Sequence, residues 1–461
     1  GLDNNLKTVG QQIFVSMTLA VFAIVMDRMI VTARRLKCGK VCICYGARRD
    51  GKCFTQFEVL EVTARSHFML RRVETGCACH AVVAPLVITR IIKHAHHSSG
   101  QALSLSCSGF ITREPERTME YSISIGGPRR QEIHDEVEYV KAAERVGVSY
   151  AWAAEAWGRD AVSPLAYLAA CTERIKLGTG IMQVSARVPA MLAMTALNLA
   201  RLSNNRFVLG LGVSGPQVVE GLHGVPFQPA LTRMKEVVQI LRKAFAGERI
   251  EYEGKLFTLP RPGGQGKALR IDQPPNPNIP IFLATLGPKA LQFTGAEADG
   301  WLGTSFTPDH PEAHYAHLRR GAEAAGRDFN TLAKHVQAIV AVGDNVEQMI
   351  DSMRPGVAFT LGAMGSAETN FYNDAIRRAG YEDDARAVQA LWVDGKRDQA
   401  VARVPDELVL RFGLVGNRTM VQKRLNVYRE AGINCINLRV QADDTESRIE
   451  SLERALDALR D

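Results

Sequence analysis

The chain has 461 residues, of which 46% are hydrophobic and 23% charged, so we expect a sizeable core rather than intrinsic disorder. The net charge of +7 belongs to the first quarter, because residues 1–118 hold 16 Lys and Arg against 8 Asp and Glu. Seven of the nine cysteines also lie there. This break in composition separates an N-terminal extension, residues 1–118, from a main domain, residues 119–461.

The extension contains one apolar run, residues 13–26. Its 14 residues are fewer than the roughly 18 to 20 that a membrane-spanning helix needs. A secretory signal would carry positive charge ahead of the run and a small-residue cleavage site behind it, but only Lys7 precedes this one. We therefore expect a cytoplasmic protein without membrane anchoring.

Cysteine and histidine are concentrated in the extension, and thiolates with imidazoles can bind zinc. The candidate ligands are Cys38, Cys42, Cys44, Cys53, Cys77, Cys79, His80, His94, His96 and His97. The usual Cys-x2-Cys pairs are absent, and the basic charge lacks the interleaved aromatics of a nucleic-acid module. We expect that the extension is not part of the native fold and that Met119 is the natural start. A metal or nucleic-acid module is the alternative.

Strand-like and helical sequence alternate from Tyr121 onward. Eight strands are predicted, at residues 121–125, 150–154, 175–177, 207–211, 281–284, 300–303, 336–342 and 435–440. Eight β/α units with right-handed crossovers close into a (β/α)8 TIM barrel, with insertions at residues 247–278 and 353–403. The alternative is an open doubly wound sheet, but no Gly-x-Gly-x-x-Gly follows the first strand.

The fourth predicted strand ends in a loop that contains Gly210, Gly212, Ser214 and Gly215. The active sites of such barrels form from loops at the carboxyl ends of the strands. Glycines there let the backbone approach a flat or anionic ligand closely. Alternatively, they only form the turn from strand to helix.

Several segments resemble the bacterial luciferase-like superfamily. They are residues 175–181 (Ile-Lys-Leu-Gly-Thr-Gly-Ile), 202–216 (Leu-Ser-Asn-Asn-Arg-Phe-Val-Leu-Gly-Leu-Gly-Val-Ser-Gly-Pro) and 299–301 (Asp-Gly-Trp). Residues 364–371 and 405–408 are also similar to its deazaflavin branch, the coenzyme F-420-dependent relatives of methylenetetrahydromethanopterin reductase. The resemblance extends from Met119 to about Val440 and does not include the extension.

The resemblance implies where a cofactor would bind. Members carry a non-proline cis peptide behind the central cofactor ring, and the matching bond joins Gly180 to Ile181. The loop after the fifth strand would receive the cofactor phosphate at a helix N-terminus. The implied cofactor-binding residues are Gly180, Ile181, Gln183, Gly212, Val213, Ser214, Thr285, Leu286, Gly287 and Pro288. For the acidic tail of the deazaflavin, Lys289, Arg187 and residues 261–270 with Lys267 are the candidate cations.

Glu155 stands where several relatives of the family have a histidine at the end of the second strand. A carboxylate among Trp152 and Trp157 would have a raised pKa and could handle a proton, which makes Glu155 the candidate catalytic residue. Alternatively, Glu155 pairs with Arg159 or Arg187 and holds the loop. No metal-ligand cluster follows Met119, so we expect no metal in the reaction.

The expected function is hydride transfer between coenzyme F-420 and an organic substrate. One alternative is a monooxygenase that uses FMN, and a second is a carrier that binds flavin or deazaflavin without turnover. The expected partner is a small-molecule substrate, with neither nucleic acid nor membrane, and the expected assembly is a homodimer.

Overall fold

A computed structural model describes residues 40–49, 52–61, 70–71, 119–126, 132–364, 370–440 and 442–460. The chain divides into two compact units, Gly1–Ile111 and Thr112–Asp461. In the first unit, β1 (Lys40–Arg49) pairs antiparallel with β2 (Lys52–Glu61), which pairs antiparallel with β3 (Leu70–Arg71). The predictions for the cysteine and histidine side chains and for the apolar run of the extension lie outside the described residues.

Eight parallel strands of the second unit form a closed barrel. Their bounds are β4 (Glu120–Ile125), β5 (Tyr150–Ala153), β6 (Lys176–Thr179), β8 (Phe207–Gly212), β11 (Ile281–Leu283), β12 (Gly300–Gly303), β13 (Ala333–Val342) and β15 (Cys435–Val440). They pair in that order, and Cys435 opposite Glu120 joins the last strand to the first. This confirms the predicted TIM barrel.

Four short strands lie beside the barrel strands or in an insertion. They are β7 (Met182–Gln183), β9 (Tyr252–Glu253), β10 (Thr258–Leu259) and β14 (Gly413–Gly416). β7 pairs with β8, and β14 pairs with β13. The sequence analysis did not predict β14, because four small and apolar residues between two helices carry no alternating pattern.

The helices follow the strands as expected for β/α units. They are α1 (Ile133–Arg145), α2 (Val162–Cys171), α3 (Pro189–Leu202), α4 (Pro216–Val219), α5 (Ala230–Phe245), α6 (Pro288–Glu297), α7 (Glu312–Ala324), α8 (Val346–Gly362), α9 (Phe371–Arg378), α10 (Glu382–Val393), α11 (Arg397–Ala402), α12 (Asp406–Phe412), α13 (Arg418–Glu430) and α14 (Thr445–Leu459). Proline at the first turn of α3, α4 and α6 suits those helix starts, since its missing N–H has no intrahelical partner there. Of the described residues, no helix is long and apolar enough to cross a membrane.

Aromatic side chains fill the lower part of the barrel. The rings of Tyr150 and Trp152 stack with centroids 5.6 Å apart. His335 meets Tyr150 edge-on at 4.7 Å and Phe282 at 4.9 Å. Burial lowers the pKa of His335 to about 3, so this imidazole is neutral near pH 7.

Two strand glycines make room for this packing. A Cβ on Gly178 would lie 2.3 Å from Cζ3 of Trp152, and a Cβ on Gly210 would lie 1.9 Å from the carbonyl oxygen of Thr179. The expectation that Gly210 lets a ligand approach is therefore wrong. Its missing side chain instead allows β6 and β8 to pack together inside the barrel.

The two insertions differ in position. Residues 247–278 follow α5: Glu236 accepts hydrogen bonds from the backbone N–H groups of residues 255–257, and Asn276 N donates to Phe245 O. The first insertion therefore packs along α5, from Glu236 to Phe245. The second insertion is longer than the predicted 353–403, because α8 to α12 span Val346 to Phe412; these helices follow the carboxyl end of β13 and have their own apolar core.

Candidate active site

The predicted site residues come together at one rim of the barrel. Glu155 follows β5, Gly180 to Gln183 connect β6 with β7, Gly212 to Ser214 follow β8, and residues 285–288 connect β11 with α6. Since the eight barrel strands are parallel and the ring is closed, these positions all lie at their carboxyl ends. We call this rim the mouth.

The peptide bond between Gly180 and Ile181 is cis, as the resemblance implies. Gly212 lies beside it at the end of the adjacent strand β8, and a Cβ added there would lie 2.7 Å from Cγ1 of Ile181. Gly212 therefore accommodates the Ile181 side chain, and its role in cofactor binding stays a prediction. Ser214 has φ of 60°, so the chain turns sharply away from β8 at this serine.

Glu155 holds the loop after β5 through a dense set of hydrogen bonds. Arg187 donates to both carboxylate oxygens at 2.8 Å, and the N–H groups of Ala161 and Gln183 donate at 3.2 Å. Four donors occupy the carboxylate, whereas Trp157 is 64% exposed and points to solvent. This geometry favours the loop-holding alternative and corrects the expectation of a carboxylate enclosed by two tryptophans. Arg159, the other candidate partner, pairs with Glu136 at 2.6 Å.

Gln183 is buried beside this loop. Its side-chain nitrogen donates to the carbonyl oxygens of Glu155 at 3.3 Å and Ala156 at 3.1 Å. Among the residues that the structure describes, no donor reaches its side-chain oxygen. A buried acceptor without a donor costs free energy, and this oxygen is itself closed off from solvent.

The loop of residues 285–288 leads into α6. The Thr285 hydroxyl bonds that of Thr294 at 2.7 Å, and the Thr285 carbonyl accepts from the Trp301 indole at 3.0 Å. Gly287 is the N-cap residue of α6 and offers no side-chain cap. The first N–H groups of this ten-residue helix therefore lack a side-chain cap, whereas the Thr285 hydroxyl already has a partner.

Arg378, at the end of α9, contacts this loop, and sequence reasoning did not identify it. Its guanidinium donates to the Leu286 carbonyl at 2.7 Å, which places a positive charge beside the start of α6. Burial lowers the pKa of Arg378, although an arginine remains charged near pH 7. Arg378 lies 92 residues from Leu286 in sequence, so no local pattern could have indicated this contact.

The structure also shows which of the cations expected around an acidic tail lie near the loop of residues 285–288. Glu155 neutralises Arg187, and residues 261–270 belong to the insertion along α5. Lys289 is exposed at the start of α6. Lys289 and Arg378 are therefore the cations that this geometry leaves beside the mouth loop. The described residues contain no group of three or more His, Cys, Asp and Glu side chains able to hold a metal ion.

Comparison with known proteins identifies the family. The sequence profile described as luciferase-like monooxygenase matches residues 110–435. The chain belongs to the luciferase-like monooxygenase family. This luciferase-like chain is 38% identical over 329 residues to a Mycobacterium tuberculosis protein named as a coenzyme F-420-dependent oxidoreductase, covering 69% of the chain and 94% of that protein.

Two reductases provide further comparisons for this luciferase-like chain. It is 28% identical over 301 residues to the 5,10-methylenetetrahydromethanopterin reductase of Archaeoglobus fulgidus, covering 64% of the chain and 86% of that protein. The solved structure of the F-420-dependent tetrahydromethanopterin reductase of Methanopyrus kandleri aligns with a TM-score of 0.62 and 20% identity. That alignment covers 74% of this chain and 99% of that one, and it shows a shared fold.

Proposed function

We propose that this luciferase-like protein is an oxidoreductase that binds coenzyme F-420 in the mouth and transfers hydride between the deazaflavin and an organic substrate. The observation that carries the proposal is the uncapped start of α6 with Arg378 beside it, at the same rim as Gln183 and Ser214. The names of the mycobacterial and archaeal relatives support the choice of cofactor.

The residues of the mouth fit a deazaflavin that carries a phosphate. The N–H groups at the start of α6 and the Arg378 guanidinium would hold the phosphate. When bound, the deazaflavin supplies the hydride chemistry, and the barrel positions it and excludes water.

Titration of the purified full-length protein with F-420 and, separately, with FMN tests the proposal through quenching of cofactor fluorescence. We expect F-420 to bind more tightly. Arg378→Gln should weaken F-420 binding on the order of ten-fold, because a charge-assisted contact near the phosphate is lost. Arg386→Gln, which removes an exposed arginine paired with Glu382, is the matched control.

The same titration distinguishes the two alternatives. Tight FMN binding without F-420 binding would instead support an FMN-dependent monooxygenase, an activity consistent with the family's description as luciferase-like monooxygenase. Binding of F-420 without hydride transfer to any carbonyl or alkene acceptor tested would support the carrier. Equal F-420 affinity of the Arg378 and Arg386 variants would contradict the phosphate site at α6.

A further inference from the structure

The interior of the barrel changes from aromatic to polar on the side formed by β15 and β4. Cys435 belongs to the buried cluster with Tyr150 and Trp152. Two residues further along β15, Asn437 accepts a hydrogen bond from the Ser124 hydroxyl of β4 at 3.2 Å. Alternate residues of a strand share one face, so Arg439 is the next side chain on this inner face, at the level of the mouth.

Arg439 lies near the carboxyl end of β15, at the mouth. Its side chain is exposed to solvent, yet the surrounding protein lowers the pKa of the guanidinium by burial. Both observations hold for a charge at the open end of a cavity, where protein replaces part of the hydration shell. Desolvation of a charge costs free energy unless a partner compensates it.

No such partner is present for Arg439 among the residues that the structure describes. Neither a carboxylate ion pair nor a hydrogen bond to a carbonyl is formed there, and burial is the sole cause of the shift in its pKa. Other barrel arginines differ: Arg187 is paired with Glu155, and Arg206 donates to the carbonyls of Ala169 and Ile175. Arg439 therefore presents an unused guanidinium to the mouth.

The position of β15 in the ring places Arg439 opposite the proposed cofactor site. The order of pairing puts β8 four strands away from β15, which is halfway around an eight-stranded barrel. Arg439 thus faces the end of β8 with Gly212 and Ser214 across the mouth. A molecule bound between Arg439 and the end of β8 would therefore have the guanidinium on the side that faces away from β8.

We propose that Arg439 binds an oxyanion group of the substrate, so that the substrate is a small organic carboxylate or phosphate ester. A guanidinium presents two parallel N–H donors that match a carboxylate or phosphate bidentately. This assignment of Arg439 as a specificity-determining residue rests on the proposed function, because it assumes that the cofactor binds on the opposite side of the mouth.

Anion binding to the full-length protein, purified free of cofactor, tests the proposal by calorimetry. The probes are benzoate, phenyl phosphate and the neutral benzamide. We expect at least one of the two anions to bind on the order of ten-fold or more tightly than benzamide. Arg439→Met should abolish this preference, and Arg439→Lys should retain part of it. Arg201→Met, which removes an exposed arginine at the end of α3 near the amino ends of the strands, should leave it unchanged.

Each outcome decides the assignment. A stronger preference for benzoate or for phenyl phosphate supports the site and identifies which oxyanion it takes. Absence of any preference for anions, or its persistence in a folded Arg439→Met protein, overturns it. Displacement of the bound anion by F-420 also overturns it, because Arg439 would then hold the cofactor. If the unmodified protein prefers anions but does not bind F-420, the anion site at Arg439 is supported and only the proposed function is contradicted.

Discussion

At the scale of single residues, Glu155 is defined by the pair that it forms with Arg187. Their side chains are 7% and 21% exposed, so solvent screens this pair only weakly. Removing one partner of such a pair leaves a poorly solvated charge, which costs more than the pair itself contributes. The pair also fixes the loop after β5 against Gln183, and through it the wall of the mouth.

Glu155→Gln tests whether this residue holds the loop or handles a proton. We expect the free energy of unfolding to fall by about 2 to 3 kcal/mol and F-420 binding to weaken, with turnover of the bound form unchanged. Urea denaturation, fluorescence titration and turnover at saturating cofactor measure the three quantities, with the exposed Glu450→Gln as control. A loss of turnover of about 10²-fold at unchanged stability would instead assign Glu155 to proton transfer.

His314 is the second residue whose behaviour follows from burial. It lies between Trp301 and Phe306, and neither ring nitrogen has a hydrogen-bond partner among the described residues. Burial, with a smaller contribution from Arg378 and His317, lowers its pKa to about 3. The unfolded chain, with an ordinary histidine pKa near 6.5, therefore binds more protons between about pH 3 and 6.5.

Because the folded-state pKa is the lower one, stability is lost as the pH falls through this window, by up to about 1.4 kcal/mol per pH unit for each such histidine. We expect His314→Phe to remove one such contribution and to stabilise the protein most at pH 5. Urea unfolding at pH 7, 6 and 5 measures this, with the exposed His223→Gln as control. An unchanged pH dependence would show that the pKa of His314 is the same in the folded and the unfolded chain.

At the scale of elements, β6 and β8 approach each other closely at Thr179 and Gly210. The Thr179 hydroxyl donates to the Gly210 carbonyl at 2.7 Å and accepts from the Gly210 N–H at 2.9 Å. These contacts and the 1.9 Å approach of a Gly210 Cβ to the Thr179 backbone leave no space for a side chain. Backbone atoms cannot move aside as the end of a flexible side chain can.

Gly210→Ala should therefore destabilise the protein by about 2 kcal/mol or more, or prevent folding. Gly215→Ala is the matched control, because its Cβ would lie 3.3 Å from the Gln217 side-chain oxygen and meet nothing else within 4 Å. We expect the control to change the free energy of unfolding little. A Gly210→Ala protein of normal stability with impaired cofactor binding would restore the ligand-facing role of this glycine.

At the scale of the whole molecule, all eight barrel strands and the mouth lie within the second unit, Thr112–Asp461. We expect a chain that starts at Met119 to fold cooperatively and to bind F-420 as tightly as the full-length protein. Thermal unfolding followed by circular dichroism and fluorescence titration of both chains test this. Precipitation of the shorter chain, or loss of bound zinc together with activity, would show that the extension is a required domain.

The sequence by itself determined the architecture of this protein. Most barrel strands are short, largely apolar segments followed by helical sequence, a local pattern that needs no knowledge of distant contacts. The carboxyl ends of these strands could also be listed from sequence, because all parallel strands of a barrel end at one rim. The residues of the candidate site were therefore brought to one place by topology, and the cis bond after Gly180 agrees with the resemblance.

Only the tertiary structure decided what those side chains do. Whether a charge is paired depends on groups that closure of the ring brings near: Arg187 is 32 residues from Glu155, and Arg378 is 92 residues from Leu286. Desolvation of Arg439 depends likewise on the walls of the mouth, which many separate elements form. Electrostatic free energy is governed by distance and local hydration, and separation along the chain specifies neither.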